Sequence, residues 1–191
     1  MSPITLALIA CVLGAVGTPC FAQSLEEKLR GCDGCHGERG IPKDKSTPVI
    51  WGQQQGHIDA ALSDFKRGRR ESEQMAASVR DLGRFDIVEI SAHYAQKQWP
   101  DLQEPPAPNE VSQTAEQLIA NGECTASGCH VGFVGEGARP RLAGQSSEYL
   151  KAELTAYRNQ KRTNFMMGEA VKSMSDADIQ ALATYLAGLK P

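Results

Sequence analysis

The sequence predicts an all-α protein made of two tandem domains of similar build. Apolar residues recur at helical spacing in both halves of the chain, and strand-like alternation is absent from the sequence. A proline-rich stretch that cannot continue a helix separates the halves. We therefore expect a first domain at residues 23–102, a linker at 103–109 and a second domain at 110–191, each domain small enough to need a large apolar group in its core.

An internal duplication supports this division, because residues 48–87 match residues 140–179 without gaps at a constant offset of 92 residues, and a length difference falls only before this stretch. The matched pairs are Pro48 and Pro140, Gly52 and Gly144, Gln53 and Gln145, Leu62 and Leu154, Phe65 and Tyr157, Arg70 and Arg162, Met75 and Met167, and Ile87 and Ile179. A repeat of this length is a whole small domain and is too long for a solenoid unit. The second half is therefore expected to repeat the helices of the first.

Each half is expected to contain a first, a middle and a last helix. Three capping patterns predict where helices begin: Ser24-x-x-Glu27, Thr114-x-x-Gln117 and Ser175-x-x-Asp178. The apolar faces of the middle helices carry Ile58, Leu62 and Phe65, and Leu150, Leu154 and Tyr157. Those of the last helices carry Ile87, Ile90 and Tyr94, and Ile179, Leu182 and Leu186. Gly188 is expected to end the final helix.

Residues 1–22 predict a secretory signal peptide. They hold no charged side chain, and their apolar run at residues 4–16 is too short for a comfortable membrane span. Small residues precede an expected cleavage ahead of Gln23. The absence of Lys and Arg leaves an uncleaved anchor as the alternative. Cleavage would leave four of the six cysteines in the mature chain.

A C-x-x-C-H motif at residues 32–36 predicts the attachment site of a c-type haem. In such a motif the thiols, here Cys32 and Cys35, bond to the porphyrin vinyl groups, and the histidine, here His36, takes the proximal position on iron. A redox-active cysteine pair and half of a zinc site are the alternatives. Neither has the sequence context it requires, since a βαβ pattern and a second ligand pair are both missing nearby.

A second Cys-His motif lies in the other half of the chain. Cys124 and Cys129 are separated by four residues instead of two, and His130 follows directly. This wider spacing is rarer, although some multihaem cytochromes use it. Because all four remaining cysteines then belong to haem motifs, the sequence predicts two covalently bound haem c groups and leaves no thiol for a disulfide.

The charge of the chain argues against nucleic acid as a partner. The formal net charge is −3, whereas nucleic-acid binding calls for a basic surface. The single basic cluster spans Lys66–Arg70, and we interpret it as a solvated helix end favoured by the helix dipole. Protein docking and pairing with haem propionates are the alternatives for this cluster.

These motifs resemble those of the class I cytochromes c, and more closely those of the two-domain, two-haem periplasmic cytochromes c4. The resemblance covers residues 24–189 and rests, beyond the haem motifs, on Pro48–Gln53, Pro140–Gln145, Lys66–Arg70 and Met166–Met167. It implies two tandem class I cytochrome c domains, each wrapped around a covalent haem. It also implies that Pro48 and Pro140 offer a backbone carbonyl to the proximal histidine of their domain. The wide spacing of the second motif departs from the family pattern.

Met75 and Met167 are the candidates for the second axial position on each iron. They occupy the same place ahead of the last helix of their domain, and the adjacent Met166 falls outside this register. A thioether ligand is common opposite histidine in cytochromes c and raises the potential. The predicted iron ligands are therefore His36 with Met75 and His130 with Met167.

His57 and His93 are the alternative iron ligands. Their counterparts at the offset of 92 are Tyr149 and Tyr185, so neither recurs as histidine in the other half. We therefore expect surface or core roles for both side chains.

Three functions are compatible with this sequence. The first is a soluble electron carrier, because two irons held by His and Met leave no open position for substrate. The second is the cytochrome subunit of a sulfide or thiosulfate dehydrogenase, and the third is a two-haem peroxidase. For the carrier we expect no catalytic residue, no membrane span after signal removal, and protein partners: a dehydrogenase, a quinol-oxidising complex or a terminal oxidase. Covalent haem attachment in bacteria takes place on the oxidising side of the inner membrane, which predicts the periplasm.

Overall fold

A computed structural model describes residues 23–190, and within this range the chain is helical, with one isolated bridge between Glu136 and Arg139 in place of any strand. The helices are α1 (Leu25–His36), α2 (Gln55–Lys66), α3 (Glu73–Val79), α4 (Arg84–Ala95), α5 (Asn109–Asn121), a 3-10 turn (Val131–Phe133), α6 (Ser147–Arg158), α7 (Phe165–Val171) and α8 (Asp176–Gly188). The all-α prediction is confirmed. The predicted signal peptide at residues 1–22 lies outside the described residues.

Each half of the chain builds its own apolar core from helices in the same order. The buried core of the first half consists of Leu29, Ile58, Leu62, Phe65, Val79, Leu82, Ile87, Ile90 and Tyr94. That of the second half consists of Ala115, Phe133, Ala143, Leu150, Leu154, Val171, Met174, Ile179, Leu182, Ala183, Leu186 and Ala187. The predicted apolar faces of the middle and last helices point into these cores, with Tyr157 partly buried.

The capping patterns predict two of three helix starts correctly. Ser24 and Ser175 each form a capping box at the start of α1 and α8. The prediction for Thr114 is wrong, because this residue lies inside α5 and its hydroxyl donates to the carbonyl of Glu110 (3.0 Å). The helix begins at once after Pro108, since no residue between the last proline and Thr114 opposes helical geometry.

Two short helices, α3 and α7, were not predicted from the sequence. Each spans seven residues, which is too short for a convincing apolar period. Each begins with a side-chain cap, since Ser72 Oγ accepts from the backbone N–H of Met75 and Asn164 Oδ1 from that of Met167. Residues 103–108 of the predicted linker are not helical, and α5 begins at residue 109. The exact limits of the linker stay a prediction.

The basic cluster at Lys66–Arg70 is not wholly a solvated helix end. Arg70 is 9% exposed, and its guanidinium stacks over Phe65 with 4.5 Å to the ring centroid. The same group donates to Tyr149 Oη (2.9 Å) and to Glu153 (2.5 Å) on α6. The interpretation as a solvated end is therefore wrong for Arg70, which joins the two domains.

No helix within residues 23–190 has the length and apolarity needed to cross a membrane.

Candidate haem sites

The first Cys-His motif forms the last turns of α1. Cys32 is half-buried, Cys35 is exposed and His36 is 6% exposed. Residues three and four apart lie on one face of a helix, so this spacing presents both thiols and the imidazole in the same direction. The helix ends directly after His36, where the Gly37 N–H bonds to the carbonyl of Asp33 (2.9 Å). Such a turn is suited to holding one flat group through three adjacent side chains.

A backbone carbonyl fixes the proton of the first proximal histidine. His36 Nδ1 lies 2.8 Å from the carbonyl oxygen of Pro48. Because a carbonyl can only accept, Nδ1 must donate, and Nε2 keeps its lone pair for iron. Burial lowers the pKa of His36, which favours the neutral imidazole that a metal ligand needs. The carbonyl contact that the family resemblance implied is thus present in the structure.

The second motif has the same partners but a different backbone. α5 ends at Asn121, and the motif follows in turns closed by bonds from Cys129 N–H to Ala126 O and from His130 N–H to Cys124 O (both 2.9 Å). The pattern at Thr114–Gln117 predicts a helix that runs into this motif, and this prediction is wrong because α5 ends before Cys124. Residues five apart on a helix point about 140° away from each other, so two thiols at this spacing cannot share one helical face.

The second proximal histidine is held more loosely than the first. His130 is half-buried, and its Nδ1 lies 3.2 Å from the carbonyl oxygen of Pro140. Burial again lowers its pKa, so the neutral form is favoured here too. The second site therefore offers the same chemistry as the first, with a longer hydrogen bond behind the imidazole.

Met75 and Met167 occupy equivalent positions in the two domains. Each is the third residue of its short helix, and each packs partly buried against the core on which a motif cysteine also packs, Cys32 in the first domain and Cys124 in the second. Met166 is 65% exposed. This placement favours Met167 over its neighbour as the ligand, and ligation by either methionine stays a prediction.

The alternative ligands lie in different surroundings. Burial and the positive charges of Arg162 and Arg70 lower the pKa of His57 to about 3, although the nearby backbone of Ala138 in the second domain acts to raise it. The ring of His93 makes an edge contact with Tyr94, with centroids 5.2 Å apart. His57 therefore lies at the domain boundary, and His93 lies beside a core tyrosine.

The residues of both sites fit a covalently attached haem. Each site combines two thiols, an imidazole with a fixed Nδ1 proton, and a thioether at the edge of one apolar core. In the first domain the indole Nε1 of Trp51 is buried without a hydrogen-bond partner, and Trp51 packs on the same core as Met75. An acidic oxygen, such as that of a haem propionate, would satisfy this donor.

Comparisons with known proteins agree with these features. The family model for cytochrome c matches residues 112–190, in the second half of the chain. A cytochrome c4 of Thiocapsa roseopersicina is 34% identical over 91% of this chain and 94% of its own length. The crystal structure of reduced recombinant cytochrome c4 from Pseudomonas stutzeri superposes with a TM-score of 0.76 at 26% identity, over 88% of this chain and 100% of that one. A thiosulfate dehydrogenase electron acceptor of Stutzerimonas stutzeri is 30% identical over 83% of this chain and 78% of its own.

Two repeated helical domains, each with a Cys-His motif behind which a carbonyl holds the imidazole, define a two-haem class I cytochrome c. The extent of the match to cytochromes c4 allows a narrower statement. The chain belongs to the cytochrome c4 family. Its cofactors are accordingly two covalently bound haem c groups.

The wide spacing of the second motif is not expected to prevent attachment. Intact-protein mass spectrometry of the exported protein, co-expressed with the haem-attachment machinery, is expected to show the mature chain plus two haems. Replacing Cys124 and Cys129 together by alanine should remove one haem and leave the other, because the first site has its own pair of thiols. The matched control replaces Cys32 and Cys35. A wild-type mass with one haem would contradict attachment at the second motif.

Proposed function

We propose that this protein is a periplasmic electron carrier in which His36 and Met75 hold one haem iron and His130 and Met167 the other. The observation that carries the proposal is the matched placement of the two methionines, each on a short capped helix against the core that its haem motif also touches. A bound haem supplies an iron that takes up and releases one electron. Two such groups in one chain suit the passage of electrons between partner proteins.

The side chains of the protein set the conditions for this transfer. The carbonyls of Pro48 and Pro140 hold the histidines through Nδ1, so each imidazole would present Nε2 to a bound iron in a fixed orientation. The apolar residues of each core keep water away from the cofactor, which lessens the reorganisation that accompanies a change of charge. Met75 and Met167, as the second ligands, would occupy the position that a substrate would need.

Carbon monoxide provides the test of the carrier function. We expect the reduced protein to bind the gas slowly or hardly at all, because both irons already hold two protein ligands. The measurement is the shift of the main absorption band after mixing. The Met167→Ala variant is the positive control, since it opens one position and should bind the gas rapidly. Rapid uptake by the wild type, together with turnover of peroxide, would instead favour a two-haem peroxidase.

The similarity to a thiosulfate dehydrogenase electron acceptor favours one candidate partner class. In this second candidate function the protein receives electrons from a dehydrogenase that oxidises a sulfur compound. Stopped-flow mixing of the oxidised protein with such a dehydrogenase and thiosulfate should then reduce both haems, whereas thiosulfate alone should reduce neither. Reduction by thiosulfate without the dehydrogenase would assign the catalysis to this chain itself.

A further inference from the structure

Two reciprocal glutamine contacts are part of the domain interface. Gln145 of the second domain binds the backbone of Val49 in the first, accepting from its N–H at Oε1 (2.9 Å) and donating from Nε2 to its carbonyl (3.0 Å). Gln53 of the first domain binds the backbone of Arg141 in the second in the same way (2.7 and 3.1 Å). Both pairs are related by the offset of 92. Gln145 and Gln53 are 2% and 5% exposed, so these bonds are shielded from water.

Each of these contacts ends on a peptide group that also serves a haem ligand. The N–H of Val49 belongs to the same amide as the carbonyl of Pro48, and that carbonyl accepts from His36 Nδ1 (2.8 Å). One peptide group thus bridges the proximal histidine of the first domain and Gln145 of the second. The chain of bonds runs from imidazole to amide to side chain without a gap.

An equivalent chain of bonds begins at the proximal histidine of the second domain. The carbonyl of Pro140 accepts from His130 Nδ1 (3.2 Å), and the N–H of the same amide, which belongs to Arg141, donates to Gln53 Oε1 (2.7 Å). The proximal histidine of the second domain is therefore connected to a glutamine of the first domain. Neither glutamine is connected in this way to the histidine of its own domain.

An amide that is hydrogen-bonded at one end binds more strongly at the other. When Oε1 accepts the N–H, the peptide polarises and its carbonyl oxygen becomes a better acceptor. A stronger bond to Nδ1 makes the imidazole a more basic ligand and thereby favours ferric over ferrous iron. The glutamine contact should accordingly lower the reduction potential of the haem whose histidine lies at the far end of the amide.

We infer that Gln145 tunes the reduction potential of the haem in the first domain and Gln53 that of the haem in the second. They are positioning residues that act crosswise, each through a peptide group of the opposite domain. The inference rests on the proposed function, because it takes His36 and His130 as iron ligands. It adds a regulation of that site: a change in the domain interface alters the two potentials through defined atoms.

The test compares single variants of the full two-haem protein by redox titration, with the two haems followed separately by their shifted haem-methyl NMR signals. Gln145→Leu is expected to raise the ferrous-to-ferric ratio of the first haem by about two- to tenfold at a fixed applied potential, because one neighbour alters a hydrogen bond by roughly 10–30%. The second haem should keep its ratio. Gln53→Leu should raise the ferrous-to-ferric ratio of the second haem and leave that of the first haem unchanged.

Two further variants separate tuning from a general loosening of the interface. Gln54→Leu is the matched control, since Gln54 also reaches across the boundary, to the carbonyl of Val134 (3.2 Å), but that carbonyl accepts from neither histidine. It should move neither haem. Gln145→Met keeps the length of the side chain but lacks both the accepting oxygen and the donating nitrogen, and it should give the same rise as leucine. Should Gln145→Leu fail to accumulate, Gln145→Asn, which is too short to reach, carries the same expectation.

The possible results distinguish the inference from the function on which it rests. Equal shifts of both haems in Gln145→Leu, or no shift of the first haem, would overturn crosswise tuning. The carrier function would still stand in that case if the wild type has two reversible one-electron couples. A wild type without two reversible couples would overturn the proposed function and the inference together. A shift confined to the haem of the opposite domain supports both.

Discussion

Replacing Met167 by alanine is expected to remove the near-infrared sulfur-to-iron charge-transfer band of one ferric haem, whereas Met166→Ala should leave the band at full strength. The two side chains are neighbours on α7, but Met167 packs on the domain core and Met166 is 65% exposed. A ligand must reach the iron from the core side. Absorption spectra of the two oxidised variants at equal haem concentration decide between them, and half of the band should be lost in Met167→Ala.

The same measurement applies to the first domain. Met75→Ala should remove the other half of the band and should open its iron to added imidazole. A double variant lacking Met75 and Met167 should have no band. If Met166→Ala halves the band while Met167→Ala keeps it, the repeat register has identified the wrong residue. An unchanged spectrum in Met75→Ala would assign the first haem to His57 or His93 instead.

Arg70→Ala is expected to lower the free energy of unfolding by about 2–3 kcal/mol. The Arg70 side chain is 10% exposed, and its guanidinium binds Glu153 and Tyr149 across the domain boundary. The loss is smaller than that for a fully orphaned buried charge, because Glu153 keeps its second ion pair with Arg162. Chemical denaturation of the oxidised protein, followed by circular dichroism, measures the change.

The neighbouring Arg69 provides the control for this prediction. It pairs with Asp64 at the same 2.5 Å, but its side chain is 52% exposed. Exposed pairs contribute little, so Arg69→Ala should cost less than about 1 kcal/mol. Equal losses in the two variants would show that burial between the domains is not what gives the Arg70 pair its strength.

The helices that pack on a core were predictable from the sequence, because their apolar spacing and their caps are local signals. α1 and α8 follow directly from Ser24 and Ser175. The start of α5 was not predictable from Thr114, because a capping pattern inside a helix looks the same as one at its end. α3 and α7 carry too few residues for a period, and their capping residues gain meaning only next to the methionines they position.

The residue types at the haem sites were also available from the sequence, since cysteine spacing and the repeat register need no tertiary information. The domain interface was not. Gln53 and Gln145 stood out as a repeated Gly-Gln pair, yet nothing in the pattern showed that each side chain binds the backbone of the other domain. A contact with backbone atoms does not depend on the partner's residue type, so the sequence pattern does not indicate it. The family resemblance therefore included the Gly-Gln pair but gave no role for its glutamine.

The reciprocal glutamine contacts have the symmetry of an isologous dimer, in which the same patch on two copies binds itself. Each glutamine recognises only main-chain atoms, so Val49 and Arg141 serve equally well as its partner. Two separate copies of a single-domain ancestor could therefore have formed both contacts. Fusion through a short linker would then have replaced a concentration-dependent association by an intramolecular one at an effective concentration of roughly millimolar. The wider cysteine spacing of the second motif is one difference between the two otherwise matched halves.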